Sequence, residues 1–130
     1  LESTLAKLGP AANQLCLLVS EETAINFLPE VASLAIRLRT YGGKIGLDDF
    51  GGWRGSFMHL ERIEPAYVRI APTLTRDIHN QRSSVALVKA IQEIAHEHRC
   101  QTIATRIHNQ ADYTCLANLG INYLQAAPPL

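Results

Sequence analysis

Short apolar runs alternate along this chain with longer stretches whose apolar residues recur every three or four positions. Residues 15–19 form the first run and predict a strand. Ser20 follows as an N-cap. The recurrence Leu28, Val31, Ala32, Ala35, Leu38 then predicts a helix over about 29–41, with Pro29 in its first turn and Gly42-Gly43 closing it. A second strand is predicted over 44–47, and it runs out at Asp48-Asp49-Phe50-Gly51. A glycine-rich loop to Gly55 and a short helix over 56–60 precede a third strand, 67–70, introduced by Pro65. A polar, helix-poor stretch reaches Gln81. Ser83 or Ser84 then caps a helix to about His98, with Leu87, Val88, Ile91, Ile94 and Ala95 on one face. A fourth strand is predicted over 101–104. Asn109 caps a helix to Leu119, Gly120 stops it, and 121–124 is a fifth strand.

Strands alternating with helices imply right-handed βαβ units and a parallel sheet, hence the α/β class. Five strands and about four helices suit two architectures. One is an open sheet; the other is somewhat over half of an eightfold barrel, which takes about 250 residues. No repeat, low-complexity segment or linker interrupts residues 1–130, so one domain or part of one is expected.

Composition narrows the functions. The formal net charge is zero, which argues against broad electrostatic binding to nucleic acid. No apolar run approaches the ~18 residues of a membrane span. The first residues carry neither a basic region nor a signal-peptide core, so a cytoplasmic setting is expected, either free or as the cytoplasmic part of a membrane-anchored parent. Cys16, Cys100 and Cys115 are odd in number and widely spaced, which argues against a disulfide framework. Cys16 and Cys115 lie among apolar neighbours and read as buried small hydrophobes. His96, His98 and Cys100 read as helix-end residues rather than metal ligands, because side chains two apart on a helix do not face the same way. Arg37, Arg39 and Lys44 read as a solvated face.

The acidic pair is the strongest candidate for chemistry. Adjacent carboxylates at the end of a buried strand repel each other and lose solvation, so such a pair demands a cationic partner. Arg69, predicted at a neighbouring strand end, is one candidate partner for Asp48, and a metal ion is another. In α/β proteins the carboxyl ends of the strands are also where sites form.

The ordered set Leu17-Leu18-Val19-Ser20-Glu21, Asp48-Asp49-Phe50-Gly51, Val68-Arg69-Ile70-Ala71, Ile103-Ala104-Thr105-Arg106-Ile107-His108 and Gln125-Ala126 resembles the EAL domain family. That family comprises bacterial cyclic-di-GMP phosphodiesterases and their inactive relatives. Its motifs read ExTE, DDFGTG, KID, AEGVE and QG. The resemblance implies a partial (βα)8 TIM-type barrel, with residues 1–130 as the C-terminal portion of one EAL-like domain. The Glu-Ala-Leu signature itself is not present.

Several positions depart from the family pattern. Leu18 stands for the first Glu of ExTE. Arg69 and Ala71 replace the Lys and Asp of KID. Thr105, Arg106 and His108 replace the Glu, Gly and second Glu of the AEGVE motif. Two-metal phosphodiester hydrolysis needs several carboxylates around two divalent cations, which the family supplies to Mg or Mn. The resemblance therefore makes Asp48 and Asp49 a vestigial metal-binding pair. It gives Arg69 and Gln125 ligand-binding roles, and it leaves no catalytic residue and no retained metal; Trp53, on its glycine-rich loop, reads either as a base-stacking ligand residue or as an anchor of that loop on the barrel rim. On this reading no cofactor is expected, the chain is not an enzyme, and it regulates cyclic-di-GMP signalling through a protein partner. The alternatives are a non-hydrolysing cyclic-di-GMP receptor and, third, a residual metal-dependent phosphodiesterase. Self-association through open sheet edges is a further expectation, and nucleic acid is not an expected partner.

Overall fold

The structure, a computed structural model, describes residues 15–51 and 57–127. Five strands run in the order β1 (Cys16–Ser20), β2 (Lys44–Phe50), β3 (Tyr67–Ile70), β4 (Gln101–Ile107) and β5 (Tyr123–Ala126). All four pairings are parallel, and the spatial order is the chain order, β1-β2-β3-β4-β5. An open doubly wound sheet reverses its strand order at a switch point. A continuous winding carries every crossover the same way around, so the wall of a barrel is the architecture obtained.

The connections are α1 (Glu21–Asn26), α2 (Leu28–Thr40), α3 (Met58–Ile63), α4 (Pro72–Thr75), a 3-10 turn over Ile78–Asn80, α5 (Arg82–Glu97) and α6 (Gln110–Asn118). Ser20 caps α1, its side chain accepting from Thr23 N–H. Gly42 takes φ +81 behind α2, where a side chain would be strained. The helix after Gln81 begins at Arg82 without the predicted serine cap. The polar stretch before it, read as helix-poor, holds α4 and the 3-10 turn.

The predicted apolar stripes supply the core. Val31, Ala32, Ala35 and Leu38 of α2, and Val88, Ile91 and Ala95 of α5, are buried. Ile45, Leu47, Val68, Ile70 and Ala104 project from the strands into the same cluster, joined by Leu60, Ile63 and Leu116. Each large aliphatic side chain buried in this way contributes roughly 1.5–3 kcal/mol. Leu87, predicted on the α5 stripe, stays partly exposed. The opposite face of the sheet is bare by comparison: Leu18 is 47% and Tyr123 50% exposed.

Two cysteine expectations are corrected. Cys16 is exposed and Cys115 only half-buried, whereas Cys100 is buried. Cys16 lies on β1, the sheet's outer strand among the described residues, so its apolar neighbours in sequence do not enclose it. Burial pushes the Cys100 thiol up to about 12. The basic cluster is not simply solvated either. Arg39 Nη1 donates to the Ile63 carbonyl at 2.8 Å, latching α2 to the end of α3, and Lys44 Nζ lies 5.8 Å from the centre of the Tyr67 ring.

Candidate functional site

The predicted strands stop where polar residues begin, after Leu47 and after Ala104, but both strands continue. β2 runs to Phe50 and β4 to Ile107, and each carries a register shift in its last residues. Between the pairs Leu47–Val68 and Phe50–Ile70, both Asp48 and Asp49 stand opposite Arg69. Between Ala104–Leu124 and Ile107–Ala126, both Thr105 and Arg106 stand opposite Gln125. An extra residue of this kind is a β-bulge, which bends the strand and re-aims side chains. The second residue of each is left-handed, Asp49 at φ +52 and Arg106 at φ +57. Two strand ends thus present paired side chains to one rim.

Each bulge is followed by an anchor built on a buried carboxylate. Behind β2, Glu21 is 3% exposed and accepts the Gly51 N–H at 3.0 Å, while its other oxygen lies 3.0 Å from His59 Nε2 on α3. A side chain could not replace Gly51, which has φ +92; a Cβ there would lie 2.6 Å from Ile91 Cδ1. Behind β4, Asn109 caps α6 by accepting the Asp112 N–H at 2.8 Å. The buried Asp112 carboxylate accepts in return from Asn109 Nδ2, the His79 N–H and the His79 ring. Burial alone would raise the Asp112 carboxyl, but the His79 and Asn109 hydrogen bonds and the His79 charge outweigh it and hold it below the usual carboxylate range. Asp77, His79 and Asp112 keep their ligand-capable atoms within 4.8 Å of one another.

Neither anchor was singled out from sequence. The signal for the second was present: Asn109 and Asp112 have the spacing of an N-cap and its third helical residue. Glu21 closes the run that resembles ExTE, but the resemblance assigns it no anchoring role, and its neighbour Glu22 in the same acidic first turn is exposed.

Asp48 and Arg69 are brought together, Nη1 to Oδ2 at 3.6 Å, with both side chains partly exposed. The other Asp48 oxygen accepts the Asp49 N–H at 2.9 Å. Asp49 is exposed. A cavity of about 200 Å³ opens at the ends of β3, β4 and β5, lined by Arg69, Thr105, Arg106, Gln125, Ala126 and Ala127. Thr105 is buried and Gln125 exposed. Leu18 lies over Gly46 on the bare face, its Cδ2 2.8 Å from where a Cβ on Gly46 would stand. Ala71 is buried, its N–H donating to the Phe50 carbonyl at 2.8 Å. His108 is exposed just beyond β4. Trp53 lies outside the described residues.

Asp48 and Asp49 offer a divalent cation two hard oxygen donors; among the described residues no third carboxylate or histidine joins them. That set fits the mode in which Mg²⁺ takes one or two carboxylates and fills its remaining positions with water and substrate phosphate.

A parallel barrel wall with charged bulges at its strand carboxyl ends defines an α/β-barrel protein whose candidate site lies on the rim where such barrels bind ligands. The sequence profile of the EAL domain matches residues 1–125, and the chain belongs to that family. It is 30% identical over 110 residues to the cyclic di-GMP phosphodiesterase PdeB of Shewanella oneidensis, a match covering 85% of this chain and 13% of PdeB. The chain thus spans a small part of that relative's length. Among solved structures, the MucR phosphodiesterase of Pseudomonas aeruginosa in complex with c-di-GMP superimposes with a TM-score of 0.82 at 26% identity, over 92% of this chain and 48% of that one. Klebsiella pneumoniae BlrP1, in a manganese and c-di-GMP complex, gives 0.82 at 24% identity, over 95% and 31%.

These relatives correct two expectations. The expectation of no enzyme activity conflicts with relatives named as cyclic di-GMP phosphodiesterases. The expectation of no cofactor conflicts with the manganese in BlrP1. Both expectations rested on counting the substituted positions Leu18, Arg69, Ala71, Thr105 and His108 within this stretch. The chain spans 13% of the length of PdeB, and the exposed Asp49 with the half-buried Asp48 keeps oxygen donors of the kind a divalent cation accepts.

Proposed function

We propose that this chain contributes the β2–β5 rim of a cyclic di-GMP site in an EAL protein of cyclic-di-GMP signalling. The observation that carries this reading is the cavity in which Arg69, Thr105, Arg106 and Gln125 bring hydrogen-bond donors together at the strand carboxyl ends. Guanidinium groups present planar, paired N–H donors that match phosphate oxygens. Arg69 takes a phosphate oxygen, and Asp48 positions Arg69 through their ion pair. Thr105 and Gln125 orient the ligand by neutral hydrogen bonds. Asp48 and Asp49 are the residues that would hold a divalent cation, which supplies Lewis-acid polarisation of the phosphoryl group and an activated water. The names of the PdeB and MucR relatives support cyclic di-GMP as the ligand.

Calorimetric titration of the purified protein with cyclic di-GMP, with and without Mn²⁺, tests the reading. Binding in the roughly micromolar range is expected, weakened in Arg69→Ala. Absence of binding under both conditions overturns it. Following the same mixtures for the linear dinucleotide reads out turnover directly.

A further inference from the structure

We infer that Arg106 is a specificity-determining residue that clamps a phosphodiester group together with Arg69. The inference rests on the cyclic di-GMP reading above and deepens it by naming the residue that joins Arg69 on the phosphate. Three observations carry it.

The first is conformation. Arg106 holds φ +57 at the bulge of β4, a region costly to a long side chain and natural to glycine. Residues held in this way persist where the surrounding structure enforces them, and they cluster at binding sites.

The second is its partners. None of the ion pairs among the described residues includes Arg106, and Arg69 has a single long contact with the partly exposed Asp48. Arg69 and Arg106 both line this cavity, so two basic residues border it and an anion is the complementary ligand. Among the described residues no carboxylate lines that cavity.

The third is size. About 200 Å³ admits a phosphate group with part of its sugar, while the bases of a dinucleotide must lie outside. Phosphate is the portion that two arginines recognise, each through parallel N–H···O bonds. Thr105 Oγ1 and the Gln125 amide supply neutral donors beside them.

Arg106→Gly separates this role from a structural one, because glycine suits the backbone there. The expected result is a thermal midpoint equal to or above that of the wild type, with affinity for cyclic di-GMP lowered roughly tenfold or more. Arg106→Lys keeps the charge without the fork and should fall between. Inorganic phosphate is the second probe, titrated into both proteins at low salt. Undiminished cyclic di-GMP binding by Arg106→Gly overturns the inference and leaves the cyclic di-GMP reading standing. A wild type that ignores cyclic di-GMP but binds inorganic phosphate through Arg106 overturns that reading and keeps the clamp as an anion site. A wild type that binds neither probe overturns both.

Discussion

The ends of β2 and β4 use the same backbone device for opposite charge. Each strand takes one extra residue, each sets the second bulge residue left-handed, and each is backed by a buried carboxylate that accepts a backbone N–H and faces a histidine ring. At β2 the bulge presents Asp48 and Asp49; at β4 it presents Thr105 and Arg106. The rim's geometry therefore belongs to the backbone and its anchors, and the bulge side chains set which ligand groups it receives. A cation-seeking end and an anion-seeking end share one rim, the combination a metal-assisted phosphodiester site employs.

The sharpest way to break the comparison is to remove an anchor. Glu21→Ala leaves the Gly51 N–H and the buried His59 without their acceptor. Leaving a buried donor unsatisfied costs about 1–3 kcal/mol, and two are left here, so a large fall in the denaturant midpoint is expected. Glu22→Ala, one residue on and exposed, should move it by less than about 0.5 kcal/mol. Equal effects from the two would show that Glu21 anchors nothing.

The anchor behind β4 should cost less and should depend on pH. Asp112→Asn keeps the shape but weakens acceptance from His79 and Asn109, at about 1–3 kcal/mol. The folded Asp112 carboxyl lies below its unfolded value of about 3.9. Its contribution is therefore fully present above that value and is lost as pH falls through the folded one. Acid titration of stability should show a steeper decline in the wild type than in Asp112→Asn. Parallel curves would remove Asp112 from the account.

Much of this fold was legible because burial leaves a periodic trace. The third strand, residues 67–70, lies where its apolar run placed it, and the α2 stripe is buried at Val31, Ala32, Ala35 and Leu38. The fifth strand was placed two residues early. Ile121 is apolar because it packs under the turn behind α6, its N–H donating to the Leu116 carbonyl, while β5 begins at Tyr123. The Asp48–Arg69 pairing was legible from charge alone, since a carboxylate at a strand end needs a cation. The bulges were not. An inserted residue disturbs the alternation over three positions, which no periodic pattern records, so Arg106 read only as a replacement for the motif's Gly instead of a lining residue of the cavity. The Asn109–Asp112 half of the second anchor has a local spacing, but the bonds from Gly51 to Glu21 and from His79 to Asp112 join residues 30 or more apart, and no local spacing carries that information.

The smallest expected effect separates the two bulges most finely. Asp49→Gly and Arg106→Gly both relieve a left-handed residue. Aspartate tolerates that conformation better than arginine, because its short side chain bonds locally. Glycine also loses more freedom on folding, which offsets part of each gain. Arg106→Gly should therefore stabilise by up to about 1 kcal/mol and Asp49→Gly by a few tenths at most. Paired thermal melts at one pH check the order. The reverse order would place the greater strain at the acidic bulge, and the left-handed conformation of Arg106 would then cease to argue that its surroundings hold it there for a ligand.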